Sequence, residues 1–369
     1  MIIGLTYDLR QEYLDMGYSE LATAEFDSLE TVESIENILQ SLGHETVCIG
    51  TGRSLTERLV KGERWDLVFN FAEGLNGVAR EAQVPAILDM YGIPYTFSDP
   101  LVLALTLHKG LTKRVIRDAG LATANFMVIE SQYDRPAETL SFEPPFFVKP
   151  VAEGTGMGIT AKSIVRSRDD LPSVCRELME QFRQPVLVEE FLSGREFTVG
   201  IVGTGRDARV LGTMEIHLLE KAEKDIYSFE NKAEWKGRVE YSPVTPENEP
   251  LIMDVERLAL SSWKVLGCRD GGRIDIRCDR FGKPAFIEVN PLAGLNPTYS
   301  DLPILCRFFG ISHFQLIEMI LSSAIERVKK SYGEFQEIKS HTSEQKRYPS
   351  KTADNSDICC QKVAFGEAA

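Results

Sequence analysis

The sequence predicts a mixed α/β (α+β) protein that opens with a parallel-sheet α/β unit and continues into β-rich segments. Three observations carry this. Short apolar runs alternate with helix-period stretches over the first hundred residues, a lysine-tipped strand enters a glycine-rich loop near residue 154, and two alternating segments flank a turn near residue 281.

Residues 2–6 are a short apolar run, as expected of a buried strand. Residues 28–42 have helical periodicity and stop at Gly43, the residue type that most readily closes a helix. Residues 45–49 and 66–70 read as the next strands, and 82–90 as a helix ending near Gly92-Ile93-Pro94. Sheets of this kind bind ligands at the carboxyl ends of their strands, here the loops after Thr6 and Asn70. A helical segment and a connecting strand fill 96–129, and β-rich sections run over 146–202 and 210–320. From Ser340 the chain is polar with few aromatics and reads as a largely disordered tail.

The 369 residues suffice for two or three domains with shared cores, and 43% hydrophobic with 26% charged residues is ordinary for a globular chain. A formal charge of -14 disfavours nucleic acid and anionic membranes as partners. The seven cysteines are odd in number and mostly scattered, giving neither a disulfide framework nor zinc spacing. The first residues carry no export signal, and no apolar stretch is long enough to span a bilayer, so a cytoplasmic location is expected.

In 272–277 the alternation sets Arg273, Asp275 and Arg277 on one face and Ile274 and Ile276 in a core. In 284–290 it sets Glu288 and Asn290 together, opposite Ile287 and Val289. A hairpin symmetric between Phe281 and Gly282 pairs Asp275 with Glu288, two like charges about 5 Å apart that need a cation between them. Oxygen ligands without Cys or His select a hard ion such as Mg²⁺, which takes one or two carboxylates plus substrate phosphates. A charged hairpin face screened by solvent fits these residues as well.

Lys149 ends the strand 146–150, and Glu153-Gly154-Thr155-Gly156-Met157-Gly158 follows. Glycines let backbone N–H groups approach phosphate oxygens, and the lysine supplies charge; the order differs from a Walker A loop, and a plain hairpin turn is the other reading. Residues 185–192 form a buried strand running into an acidic, partly apolar link that can hold a flat base, with Glu196 placed for ribose hydroxyls; an ordinary strand exit fits too.

Together Lys109, Lys149, the glycine loop, Glu189 to Leu192, Glu196, Lys232, Arg273, Asp275, Glu288 and Asn290 follow the order and spacing of the ATP-grasp superfamily. Over residues 1–328 the chain most resembles D-alanine–D-alanine ligases, most specifically in 186–199 and in Gly272-Arg273-Ile274-Asp275 through Glu288-Val289-Asn290, with support from 89–96. The resemblance implies an ATP-grasp fold with an amino-terminal parallel-sheet α/β domain over 1–97 on the substrate side. A central subdomain over 98–184, a carboxyl-terminal subdomain with the metal site over 185–330 and a disordered polar tail over 331–369 complete the expected division.

It implies ATP and Mg²⁺, with Mn²⁺ as a substitute, small amino-acid substrates and a homodimer. Lys109 and Lys149 are then expected on ATP phosphates, Glu189, Glu190 and Leu192 on adenine, and Glu196 on ribose. Lys232 is expected at the γ-phosphate, Asp275, Glu288 and Asn290 on metal, and Arg273 at the transferring phosphoryl group. Backbone N–H groups near Gly294 are expected at the oxyanion, Glu25 at the first substrate's ammonium, Thr155 at the loop hydroxyl and Ser300 at a substrate carboxylate. The implied reaction phosphorylates a carboxylate and then joins it to an amine, with D-alanine plus D-alanine as the leading pair.

Departures cluster on the amino-acid side. The family's Glu-Gly-Ser-Ser-Val-Gly reads Glu153-Gly154-Thr155-Gly156-Met157-Gly158, its aromatic after the Lys232 position reads Ala233, and its Leu-His-Gly reads Ala72-Glu73-Gly74. A ligase for another amino acid or a short peptide, and a non-catalytic ATP-binding protein, are the alternative readings.

Overall fold

The computed structural model describes residues 1–131, 133–219 and 239–345, the last fifteen by backbone alone. Strands β1 (Ile2–Thr6), β2 (Glu45–Gly50) and β3 (Leu67–Asn70) form a parallel sheet in the order β2-β1-β3. Helices α1 (Arg10–Asp15), α2 (Leu29–Ser41), α3 (Gly52–Val60) and α4 (Gln83–Tyr91) accompany it. Ile3 and Leu5 point to one side, into a core with Val32, Ile35 and Leu39 of α2. On the other side, Gly4 lets Ile49 and Trp65 approach where a Cβ would collide. Ser28 caps α2 by accepting from Thr31 N–H, and Gly92 closes α4 in the left-handed conformation at φ +65.

Helices α5 (Pro100–Leu107) and α6 (Lys109–Asp118) lead to a second sheet of β4 (Phe126–Ile129), β5 (Phe146–Pro150), β6 (Ile164–Val165) and β7 (Val186–Glu190). Its pairs are antiparallel and its order is β4-β7-β5-β6, so β7 joins the second sheet although the expected boundary at 184 placed it in the third segment. Its apolar run carries Val186 and Val188 into a core shared with β5, which outweighs its nearness in sequence to the third sheet. Helices α7 (Pro136–Thr139) and α8 (Leu171–Phe182) belong to this region.

The third sheet contains β8 (Glu196–Val202), β9 (Arg209–Leu218), β10 (Val239–Val244), β11 (Gly271–Cys278) and β12 (Pro284–Asn290), antiparallel in the order β10-β9-β8-β11-β12. Helix α9 (Pro250–Leu266) packs Ile252, Val255, Ala259 and Trp263 against Phe197, Val199, Ile201, Ile274 and Ile276. Each Val, Ile or Phe among them stabilises by about 1.5–3 kcal/mol when fully buried. Helices α10 (Asp301–Phe308) and α11 (His313–Gln345) follow.

A large unit spans Met1–Arg327 and a smaller one begins at Val328. Helix α11 runs to Gln345, which corrects the expected disordered tail over 331–345: a helix already nucleated adds good helix formers at little cost, and this stretch supplies Glu, Gln and Lys. The later part of the expected tail lies outside the described residues. Among the described residues no single helix is long and apolar enough to cross a membrane. Helices α10 and 313–330, bent by 111°, meet that test jointly, but their Leu302, Leu305, Leu316, Ile317 and Ile320 sit in the core around β1.

The β11–β12 hairpin keeps the expected register at its far end, with Arg273 opposite Asn290 and Asp275 opposite Glu288, then slips by one residue between Asp275 and Ile276. The expected symmetry therefore fails near the turn, where Ile276 pairs with Phe286 and Cys278 with Pro284. Ile287 is the extra residue. Instead of joining the core opposite Glu288, it packs beside Leu192 and Ala285 and lines the cleft, because a bulge re-aims the side chain it releases.

Candidate active site

A cleft lies between the second and third sheets. Strand β5 contributes Phe147, Lys149 and Pro150, and the end of β7 with its exit contributes Glu189, Glu190, Phe191 and Leu192. Glu196, Asp275, Arg277, Ile287 and Glu288 face them from β8, β11 and β12, and Lys109 and Lys113 from α6. Phe147 and Phe191 stack with centroids 6.2 Å apart. One end is thus aromatic and apolar, the other charged, as a base with attached phosphates requires.

Glu189 is the electrostatic centre. Its two oxygens lie 2.7 Å from Lys113 Nζ and 2.8 Å from Lys149 Nζ, and all three side chains are buried. Burial alone would raise the Glu189 carboxyl, but Lys113 and Lys149 outweigh it and hold the group below its ordinary range. Burial pulls the Lys113 ammonium down despite Glu189. Burial acts on Lys149 too, yet Glu189 and Glu288 together hold it above its usual value.

On the β11–β12 hairpin, Asp275 Oδ1 accepts from Thr198 Oγ1 at 2.7 Å, and Asn290 Nδ2 lies 3.3 Å from Asp275 Oδ2. Arg273 stands 3.5 Å from Asp275 and 3.6 Å from Asp301, and Lys109 lies 3.7 Å from Glu288. Among the described residues no three His, Cys, Asp or Glu side chains converge as a metal cage. Two carboxylates and an amide, opposed across one ladder, fit a hard cation whose remaining positions are filled by phosphate oxygens and water. Asn290 presents its oxygen to such an ion by a simple amide flip.

The glycine loop turns at 154–157, where Met157 N–H bonds Gly154 O at 2.9 Å. Thr155 and Gly156 have φ of 48 and 75, the signs of a type I′ turn, and Thr155 is a β-branched residue in left-handed backbone. Gly156, Met157 and Ile159 line the cavity.

The lining thus brings together Lys109, Lys149, Glu189, Glu190, Leu192, Glu196, Asp275 and Glu288, with Arg273 and Asn290 adjoining. It does not include Glu25, Thr155, Gly294 or Ser300. Glu25 accepts from Arg80 Nη2 at 2.6 Å, and Arg80 Nη1 donates to Ala152 O at 2.9 Å at the base of the glycine loop. Ser300 Oγ accepts from Asn296 N–H at 3.0 Å and lies where a Cβ on Gly294 would clash. Glu196 pairs with Arg277 at 3.1 Å. Lys232 lies outside the described residues.

Sequence reasoning missed Lys113, Arg80 and the cleft-facing Ile287. Lys113 carried a usable signal: it follows Lys109 by four residues and so shares its helix face. Arg80 carried none, because its partners Glu25 and Ala152 are 55 and 72 residues away.

A cleft between two antiparallel sheets, with Asp275 and Glu288 on the hairpin at the edge of one of them, is the arrangement of the ATP-grasp fold. A family model described as the D-ala D-ala ligase C-terminus matches residues 115–322. A D-alanine–D-alanine ligase of Parvibaculum lavamentivorans is 32% identical over 302 residues, covering 80% of this chain and 92% of that protein. An uncharacterized protein of Sinorhizobium fredii is 32% identical over 304 residues, covering 80% of this chain and 87% of its own length. The crystal structure of a Bacillus anthracis D-alanine–D-alanine ligase complexed with ATP superposes with a TM-score of 0.69 at 22% identity, covering 90% of this chain and 99% of that one. The chain belongs to the D-alanine–D-alanine ligase family.

Proposed function

We propose that the chain is an ATP-dependent carboxylate–amine ligase that joins D-alanine to D-alanine through an acyl phosphate. The observation that carries this is the cleft itself, in which Lys149 and Glu189 face the Asp275–Glu288 pair across one cavity. Phe147, Leu192 and Ile287 hold the adenine by its faces, Glu189, Glu190 and Leu192 by its edge, and Glu196 the ribose. Lys109 and Lys149 bind the phosphates. Asp275, Glu288 and Asn290 hold Mg²⁺, which neutralises phosphate charge and orients the γ-phosphate.

On this reading Arg273 balances charge on the transferring group, with Lys232 at the γ-phosphate. A substrate carboxylate attacks that phosphorus and displaces ADP, and the second substrate's amine then displaces phosphate from the acyl carbon. Gly294 N–H stabilises the oxyanion, and Glu25, Thr155 and Ser300 form the amino-acid side. The enzyme works on free amino acids in the cytoplasm as a homodimer, which sedimentation equilibrium tests.

The deciding assay measures ADP and phosphate release with D-alanine. Tight ATP binding without ADP formation from any amino acid or short peptide returns the chain to a non-catalytic role. A second reading, a ligase for another amino acid or a short peptide, is favoured by the Glu25–Arg80 pair, which already neutralises the carboxylate assigned to the substrate's ammonium. Mass spectrometry of products from a mixed pool of D- and L-amino acids separates the two, and exclusive D-alanyl-D-alanine removes the second.

A further inference from the structure

Lys113 has no part in the nucleotide contacts just set out, yet it is the most buried member of the Lys113–Glu189–Lys149 cluster, at 1% exposure against 2% for Lys149 and 4% for Glu189. It is tethered on three sides: to Glu189 at 2.7 Å, to Thr123 Oγ1 at 2.8 Å and to the carbonyl of Phe286 at 3.3 Å. Lys149 differs. It reaches the other Glu189 oxygen at 2.8 Å from a strand that lines the cavity, with its ammonium 5.7 Å from the centre of the Phe147 ring.

Glu189 is thus shared by two ammonium groups, with Glu288 acting on Lys149 from farther off. Both lysines line the cavity, and an anionic ligand draws on the one held on fewer sides, Lys149. If Lys149 were the sole partner of Glu189, its departure would strand a buried carboxylate, and breaking a buried pair in that way is strongly unfavourable. We propose that Lys113 is the resident counter-ion of Glu189, a positioning residue that keeps this carboxylate charged and in place while Lys149 turns to the phosphates of the nucleotide. The proposal rests on reading the cleft as an ATP site.

The test is isothermal titration calorimetry of the full chain with Mg²⁺ and a non-hydrolysable ATP analogue, in two buffers of different ionisation enthalpy. In Lys113→Met the departing Lys149 leaves Glu189 without a cation, so Glu189 takes up a proton as the analogue binds. About one proton more than in the wild type is then absorbed, and Kd rises about tenfold more per pH unit near neutrality than the wild-type Kd does. Adding Glu189→Gln to Lys113→Met abolishes the extra proton. Lys113→Gln reads the same quantities if the methionine variant fails to fold.

Wild-type affinity with no extra proton in a folded Lys113 variant overturns the proposal. So does weakened binding without extra proton uptake, which a merely structural prop would give. A wild-type chain that does not bind the analogue instead overturns the reading of the cleft, so the two failures are distinguishable.

Discussion

Asp275 stands directly opposite Glu288 across the β11–β12 ladder, and the register slips at the very next step. Two carboxylates in that relation repel, so the pairing persists on nearby positive charge. Lys109 lies 3.7 Å from Glu288, and Arg273 lies 3.5 Å from Asp275. On the proposed reading, a divalent cation between them would relieve the repulsion directly and carry charge for the phosphates it binds. Replacing Glu288 by Gln is expected to lower Mg²⁺-dependent ADP formation by more than about 100-fold, beyond the cost of losing an outer-shell partner. The far-ultraviolet circular dichroism should stay unchanged. Activity retained at saturating Mg²⁺ would place the metal elsewhere.

Arg80 bridges the parallel-sheet segment and the glycine loop through Glu25 and Ala152, with Glu153 3.8 Å away. Its side chain is 8% exposed and that of Glu25 13%, so Arg80→Met leaves largely covered carboxylates without their cation. A loss of about 3–5 kcal/mol in urea unfolding is expected, together with a raised amino-acid KM. Loss below about 1 kcal/mol would mean that the pair is well solvated.

A Cβ on Gly272 would lie 2.5 Å from Asn290 O and 2.8 Å from the Trp263 ring. Gly272→Ala therefore pushes β12 away from β11 next to Arg273. An overpacking cost of about 1–3 kcal/mol is expected, with weaker Mg²⁺ dependence and a shifted tryptophan emission. Unchanged metal titration would show that the hairpin absorbs the shift elsewhere.

The carboxyl of Asp27 is pushed up from 3.8 to about 7, first by burial and then by the neighbouring Asp8. The folded state therefore holds this proton more tightly than the unfolded chain. The stability it contributes is complete below about 4 and is lost as pH rises through 7. Differential scanning calorimetry should find Tm falling between pH 5 and pH 8, and Asp27→Asn should reduce that fall. An identical slope in the variant would assign the effect to other groups, with Glu81, raised to about 8, the first to examine.

Periodicity made the hairpin legible. Strict alternation in 272–277 sent Ile274 and Ile276 under α9 and left Asp275 in the cleft. The turn at Gly282 then fixed which carboxylates meet. The bulge was not legible: β12 alternates without interruption in sequence, and Ile287 leaves the pattern where the ladder slips beside the cleft. Nor did β7 declare its sheet, because an apolar run states that a strand is buried without naming its neighbours.

The sequence by itself determined which residue types share a face: two ligand-bearing strands, a lysine before a glycine loop, and a strand leaving through an acidic link. Short-range periodicity suffices for that, since it is set by backbone geometry. Tertiary structure decided what each charge does. It put Lys113 on Glu189 across 76 positions of chain and closed Arg80 on Glu25, so two carboxylates expected to meet ligands directly are already paired. Such pairings depend on how whole sheets dock, and the energy of a buried charge is set by the neighbours that docking supplies.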